Sequence, residues 1–170
     1  MTRFTVHTME SAPAESQPLL AGIRDAFGFV PNLYAVFAES PAALKGALAI
    51  GEAFSRSTFS PLEQELVSLT VSEANGCRFC VAAHSTLGKR AAKAGAELVT
   101  ATRARTTLPD AKLDVLVTFT RKVVEQRGVV TDDDLATFFG AGYTKAQLME
   151  LLLGVGMKTF NNYVDLIARV

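Results

Sequence analysis

Between Ser60 and Asn75 the chain spells out one helix with both a start and a stop, and a second helix begins directly behind it. Ser60-Pro61-Leu62-Glu63 is a capping box with proline at the first helical position. Leu62, Leu66, Val67, Leu69 and Val71 suit a buried helix running to about Ala74. Asn75-Gly76 then supplies two residues that tolerate the left-handed backbone closing a helix. Val81, Ala82, Ala83 and Leu87 suit a helix that restarts at Cys77. So short a stop predicts an antiparallel hairpin over about residues 60–95, around which the rest of the chain must pack.

The remaining chain is helical too. Helices are expected near 14–27, 31–38, 41–56, 61–75, 77–94, 96–104, 109–127, 132–139 and 145–168. Pro31, Pro41, Pro61 and Pro109 mark starts; Gly28, Gly95 and Gly128 mark stops. Thr131-Asp132-Asp133-Asp134 gives a capped acidic start, and Thr144 with Gln147 a second capping box. No alternating strand pattern stands out beyond a short extended arm at residues 2–8. With 170 residues, 49% of them hydrophobic, the chain can bury one core. The expectation is an all-α bundle forming a single compact domain over 1–170, with an N-terminal arm. The last helix carries Leu148, Leu151, Leu152, Leu153, Val155 and Met157 around most of its circumference, which predicts burial on most sides. Gly154 and Gly156 in that helix cost propensity and point to a close approach, in the core by default or across a subunit interface. A faint duplication relates 60–84 to 144–168, with Asn161-Asn162 where the first copy begins its cysteine motif; two similar amphipathic helices are the favoured explanation.

The chemistry sits on the hairpin. Cys77 and Cys80 are the only cysteines, and His84 is one of two histidines. A helix starting at Cys77 puts both sulfurs among unpaired amide N–H groups at the positive end of the dipole, which favours thiolate. His84 follows Cys80 by four residues, the spacing at which helical side chains meet. Cys80 is therefore assigned the His-activated thiolate, and Cys77 the resolving thiol. Depth along the hairpin identifies a carboxylate partner. Glu65 lies about 16 Å below the turn and His84 about 12 Å below it, at 1.5 Å per residue. Glu65 is thus nearly level with His84, and Glu73, nearer the turn, is the reserve candidate.

Glu65, eleven residues, Cys77-x-x-Cys80, three residues, His84 resembles the signature of the AhpD-like alkylhydroperoxidases of the carboxymuconolactone decarboxylase superfamily. Gly28-Phe-Val-Pro-Asn-Leu33 and Ser40-Pro41-Ala42-Ala43-Leu44 are similar to the same group, so the likeness spans about residues 27–95. The resemblance implies an AhpD-like helical bundle and a peroxidase or thiol–disulfide oxidoreductase. It implies a peroxide-attacking Cys80, a resolving Cys77 and a proton relay of His84 and Glu65. It also implies an external dithiol or disulfide reductase as electron donor and assembly into trimers or hexamers. The best-known AhpD proteins carry a histidine just before the second cysteine; this chain has Phe79.

Other classes are disfavoured. The formal charge is zero and no basic stripe suggests nucleic acid. No run reaches the length of a membrane span, and the N-terminus lacks the apolar core of a signal peptide, so a cytoplasmic location is expected. A structural zinc needs four N or S ligands, and only His84 and the distant His7 could join the cysteines; no metal and no other cofactor is expected. Buried inert thiols are the bland reading of the cysteine pair, and a polar-stretch residue that of His7. Two functional alternatives remain. One is a cofactor-free lyase of the carboxymuconolactone decarboxylase type, which needs no thiols. The other is a non-enzymatic oligomeric module whose cysteine pair senses oxidant.

Overall fold

Helix α4 (Pro61–Ala74) is the element around which the others are laid, in a computed structural model that describes residues 2–93 and 95–169. From Leu66 to Ser72 every residue of α4 is buried. Its hydroxyls can be buried because they satisfy themselves: Thr70 donates to the Leu66 carbonyl and Ser72 to the Ser68 carbonyl, each at 2.7 Å. Against α4 pack α5 (Arg78–Ala91), α6 (Gly95–Ala104), α7 (Ala111–Glu125) and α9 (Lys145–Ala168). The N-terminal helices α1 (Gln17–Phe27), α2 (Asn32–Phe37) and α3 (Pro41–Ser55) close one end; α2 and α3 lie on α9. The short α8 (Asp132–Gly140) packs on α7 and completes an all-α bundle, with no strand among the described residues.

Two larger apolar clusters, with a smaller third of Leu66, Leu98, Leu108 and Val117, hold these layers. In one, Phe138 stacks between Phe119 and Tyr143, at centroid distances of 4.6 and 4.7 Å, above Val67, Val71 and Leu151. In the other, Leu20, Ile23, Leu33, Phe37 and Leu44 join α1 to α2 and α3. Helix starts follow their caps. Ser60, Thr131 and Thr144 each complete a capping box, and Ser40 and Asp110 accept from the amide three residues on.

The differences from expectation have local causes. α1 begins at Gln17 rather than near residue 14, because Pro18 has no N–H and fits only the first turn. α7 begins after Asp110, whose carboxylate caps it, so Pro109 precedes the helix. The fifth helix ends at Ala91; Ala94, the last residue expected in it, lies outside the described residues. Gly95 does not stop that helix but opens α6, which crosses α5 so closely that a Cβ on Gly95 would sit 2.2 Å from the Gly88 carbonyl oxygen. The arm forms neither helix nor strand over 2–8; it is pinned by the Arg3 amide donating to Ala168 O and by His7 bonding Glu39 at 2.9 Å.

α9 corrects the largest expectation. It is not buried on most sides: α2, α3 and α4 cover one face, while Met149, Leu152, Phe160, Tyr163 and Ile167 stay exposed. Gly154 is the close approach, since a Cβ there would lie 2.4 Å from the Phe54 ring; Gly156 faces open space. α9 also runs unbroken where α4 stops, so the second half of the suggested duplication has no hairpin. Among the described residues no helix is long and apolar enough to cross a membrane.

Candidate active site

The turn between α4 and α5 places both sulfurs. Gly76, at φ +72°, closes α4 in a Schellman motif. The Cys77 amide donates to the Ser72 carbonyl, and the Gly76 amide to that of Glu73. The same Cys77 is the N-cap of α5, its Sγ accepting the Cys80 amide at 3.2 Å. One residue thus ends one helix and begins the next, which fixes the Cys-x-x-Cys at the amino end of α5. Cys77 and Cys80 are joined as a disulfide, their Cα atoms 5.3 Å apart, and both are buried.

One turn further along α5, His84 Nδ1 lies 2.8 Å from Glu65 Oε2 on α4. The geometry brings Glu65, and not Glu73, to the imidazole. Glu73 is instead clamped by Arg105, whose Nε reaches both its carboxylate oxygens at 3.0 Å while Nη1 holds Glu125. Burial pushes the His84 pKa below its ordinary value, the Glu65 bond works against that, and the Lys158 cation pushes it down further. The ring is therefore neutral at pH 7. With Nδ1–H donating to Glu65, Nε2 carries the free lone pair. Phe79, next to Cys80, is more than half exposed.

α9 supplies residues to which the sequence reading gives no role in the site. Asp165 Oδ2 lies 3.3 Å from Cys77 Sγ; its other oxygen, Oδ1, is buried without a hydrogen-bond partner. Burial raises the Asp165 pKa and Lys158 opposes that rise. Lys158 is itself only 5% exposed; desolvation lowers its pKa to about 8 against the pull of Glu65 and Asp165. Asn162 ties α9 to the end of α4, accepting from Asn75 at 3.1 Å and donating to Ser72 at 3.3 Å. The signal is present in the sequence: Lys158, Asn161, Asn162 and Asp165 are polar at i, i+3, i+4 and i+7 in the mostly apolar stretch from Leu151 to Ala168, and so share one face.

Cys77, Cys80 and Asp165 offer ligand atoms within 4.8 Å of one another. The donor set does not suit a resident cation. The sulfurs are spent on each other in the disulfide, and the charged Lys158 neighbours the one carboxylate. What the arrangement can do is move electrons through two sulfurs and protons through His84 and the surrounding carboxylates.

The family model described as the carboxymuconolactone decarboxylase family matches residues 37–112, which include α4, α5 and the dithiol. Several solved structures share the whole fold. A peroxidase-related protein from Ralstonia eutropha JMP134, described as an alkylhydroperoxidase AhpD core, superposes with a TM-score of 0.82 at 21% identity, covering 96% of this chain and 88% of that one. A peroxidase-related protein from Silicibacter sp. TM1040 gives 0.81 at 22% identity, covering 99% and 90%. A cysteine-to-alanine variant of the debrominase Bmp8, in complex with 2,3,4-tribromopyrrole, gives 0.81 at 14% identity, again covering 99% and 90%. No curated protein matches the chain in sequence.

Proposed function

Since residues 37–112 match the carboxymuconolactone decarboxylase family model and the chain has the AhpD-like fold, we propose that it is a member of that superfamily and a dithiol peroxidase that reduces hydroperoxides. The observation that carries this reading is the Cys77–Cys80 disulfide at a helix start with the Glu65–His84 pair one turn on. In the reduced protein, His84 takes the Cys80 proton and Glu65 holds the imidazolium. The Cys80 thiolate attacks one peroxide oxygen; the S–O bond forms as the O–O bond breaks. The departing alkoxide or hydroxide takes the proton from His84. Cys77 then attacks the sulfenic sulfur, expels hydroxide that leaves as water, and closes the disulfide. An external dithiol returns two electrons and two protons. No metal or organic cofactor enters these steps.

The exposed apolar face of α9 supports assembly of several copies, since a single chain leaves Met149, Leu152, Phe160, Tyr163 and Ile167 in contact with water; trimers or hexamers are what the family resemblance implies.

The test separates the sulfurs. Cys77→Ser should leave a Cys80 sulfenic acid that a dimedone-type probe traps, and Cys80→Ser should abolish peroxide reaction at neutral pH. Labelling of Cys77 in the Cys80→Ser protein at near wild-type speed reverses the roles. A reduced protein whose thiols survive peroxide while free dithiothreitol oxidises has no such function. The likeness to a debrominase favours one second reading. The same dithiol can deliver two electrons to a carbon–halogen bond, giving the carbon–hydrogen product, halide, a proton and the disulfide. Bromide release from a bromopyrrole, without peroxide turnover, would select it. Decarboxylation that survives loss of both cysteines would select the lyase.

A further inference from the structure

We propose that Asp165 is the proton station of Cys77, so that each sulfur of the pair is served by its own base: His84 with Glu65 for Cys80, and Asp165 for Cys77. The inference rests on the dithiol reading above and adds to it a catalytic residue from α9.

The contact is direct, with Asp165 Oδ2 at 3.3 Å from Cys77 Sγ. In the disulfide that sulfur has no hydrogen to give, so a hydrogen bond across this distance requires the carboxyl to be the donor. Burial favours that protonated form: Asp165 is 6% exposed, its Oδ1 has no partner, and desolvation raises its pKa. In the dithiol the roles invert, with the Cys77 S–H donating to the Asp165 carboxylate. The groups that face this pair are Lys158 on α9, Glu65 on α4, and His84 and Cys80 on α5. Lys158 feels both carboxylates and keeps the deprotonated Asp165 tolerable in a buried place.

The step balances. When Cys77 attacks the Cys80 sulfenic acid, the Cys77 S–H bond breaks and its proton moves to Asp165. The new S–S bond forms as the S–O bond breaks, and the departing hydroxide takes a proton from solvent and leaves as water; the external dithiol gives that proton back to solvent when it is oxidised. When an external dithiol reopens the disulfide, the Cys77 thiolate recovers its proton from Asp165. A carboxylate beside Cys77 also holds that sulfur as a thiol until closure, leaving Cys80 as the attacking thiolate.

Two measurements test this. In Asp165→Asn, reduced protein mixed with hydrogen peroxide should close its disulfide about 10²–10⁴-fold more slowly, the usual worth of a general base. The Cys80 sulfenic acid should then accumulate and be trapped although Cys77 is present. Closure at wild-type speed, or equal slowing of Cys80 oxidation and of closure, overturns the proposal. The second measurement uses the wild-type protein and no peroxide. The infrared difference between the disulfide form and the form reduced with dithiothreitol should show a protonated carboxyl band lost on reduction. Its absence overturns the proposal even if the Asn variant fails to fold. If peroxide leaves the wild-type thiols reduced, the peroxidase reading fails while the infrared result still decides the role of Asp165.

Discussion

Replacing Glu65 by glutamine keeps the shape of the side chain and removes the charge that faces His84. The bond it weakens is short, 2.8 Å, and lies between side chains that are 16% and 23% exposed, so water screens it little. A hydrogen bond to a charged group contributes about 1.5–3 kcal/mol. If the imidazolium is fully formed when Cys80 attacks, all of that is lost from the transition state. At 1.36 kcal/mol per decade this slows Cys80 oxidation roughly ten- to hundredfold. His84→Ala removes the base itself and should cost about 10²–10⁴-fold. The double variant should resemble His84→Ala rather than the product of the two losses, because Glu65 acts only through His84. The assay is stopped-flow oxidation of the reduced protein by hydrogen peroxide at pH 7, read as trapped sulfenic acid in a Cys77→Ser background. Glu73→Gln serves as control; it breaks an exposed Arg105 clamp and should leave the rate near wild type. Multiplicative losses in the double variant, or a larger defect from Glu73→Gln, refute the pairing.

Three further outcomes are expected. Because burial holds His84 below its ordinary pKa, Cys80 oxidation should stay fast down to pH 6.5 and fall only below it; a loss beginning above pH 7 would contradict a neutral buried base. In the oxidised protein, where neither cysteine titrates, Lys158 is held at about 8 when folded against 10.5 when unfolded. The unfolded chain therefore binds the extra proton in that window and stability rises with pH from about 8. Above pH 10 Tyr143, which folding holds protonated, pulls the other way. Urea melts from pH 7 to 10 should show a gain on the order of 2 kcal/mol that Lys158→Met removes. Gly154→Ala places a methyl 2.4 Å from Phe54 and should destabilise by about 1–3 kcal/mol, whereas Gly46→Ala meets open space and should stabilise by about 0.5–1 kcal/mol in the same melts.

The hairpin was legible because its determinants are local. A capping box, an Asn-Gly stop and a fresh helix start fix α4 and α5 from short-range chemistry alone, and 1.5 Å per residue then sets which side chains come level. That arithmetic put Glu65 opposite His84, and the two lie in hydrogen-bond contact. Boundaries slipped where a residue does something other than cap. Gly95 was read as a stop, yet its lack of a side chain serves the crossing of α6 over Gly88, a contact between two helices that one helix's pattern does not encode.

α9 shows where local reading ends. Its apolar residues surround the helix, so hydrophobicity alone points to burial on most sides. In the fold, the polar stripe Lys158, Asn161, Asn162 and Asp165 turns inward, toward the end of α4 and the dithiol, while a row of large apolar side chains faces out. Burying charge and exposing hydrocarbon each costs free energy, and a helix that does both is shaped by something other than the stability of one chain. The inward stripe meets Cys77 through Asp165 and the Glu65–His84 pair through the field of Lys158. The outward row is the face proposed above to meet a second copy. The inversion has a simple consequence for reading chains of this kind. When a helix carries polar residues at i, i+3, i+4 and i+7 against an apolar background, the direction of its polar face cannot be assigned from hydrophobicity alone; it must be asked which neighbour needs the charge. Here the neighbour is a pair of sulfurs at a helix start, buried beneath α9 and in need of a place to put a proton.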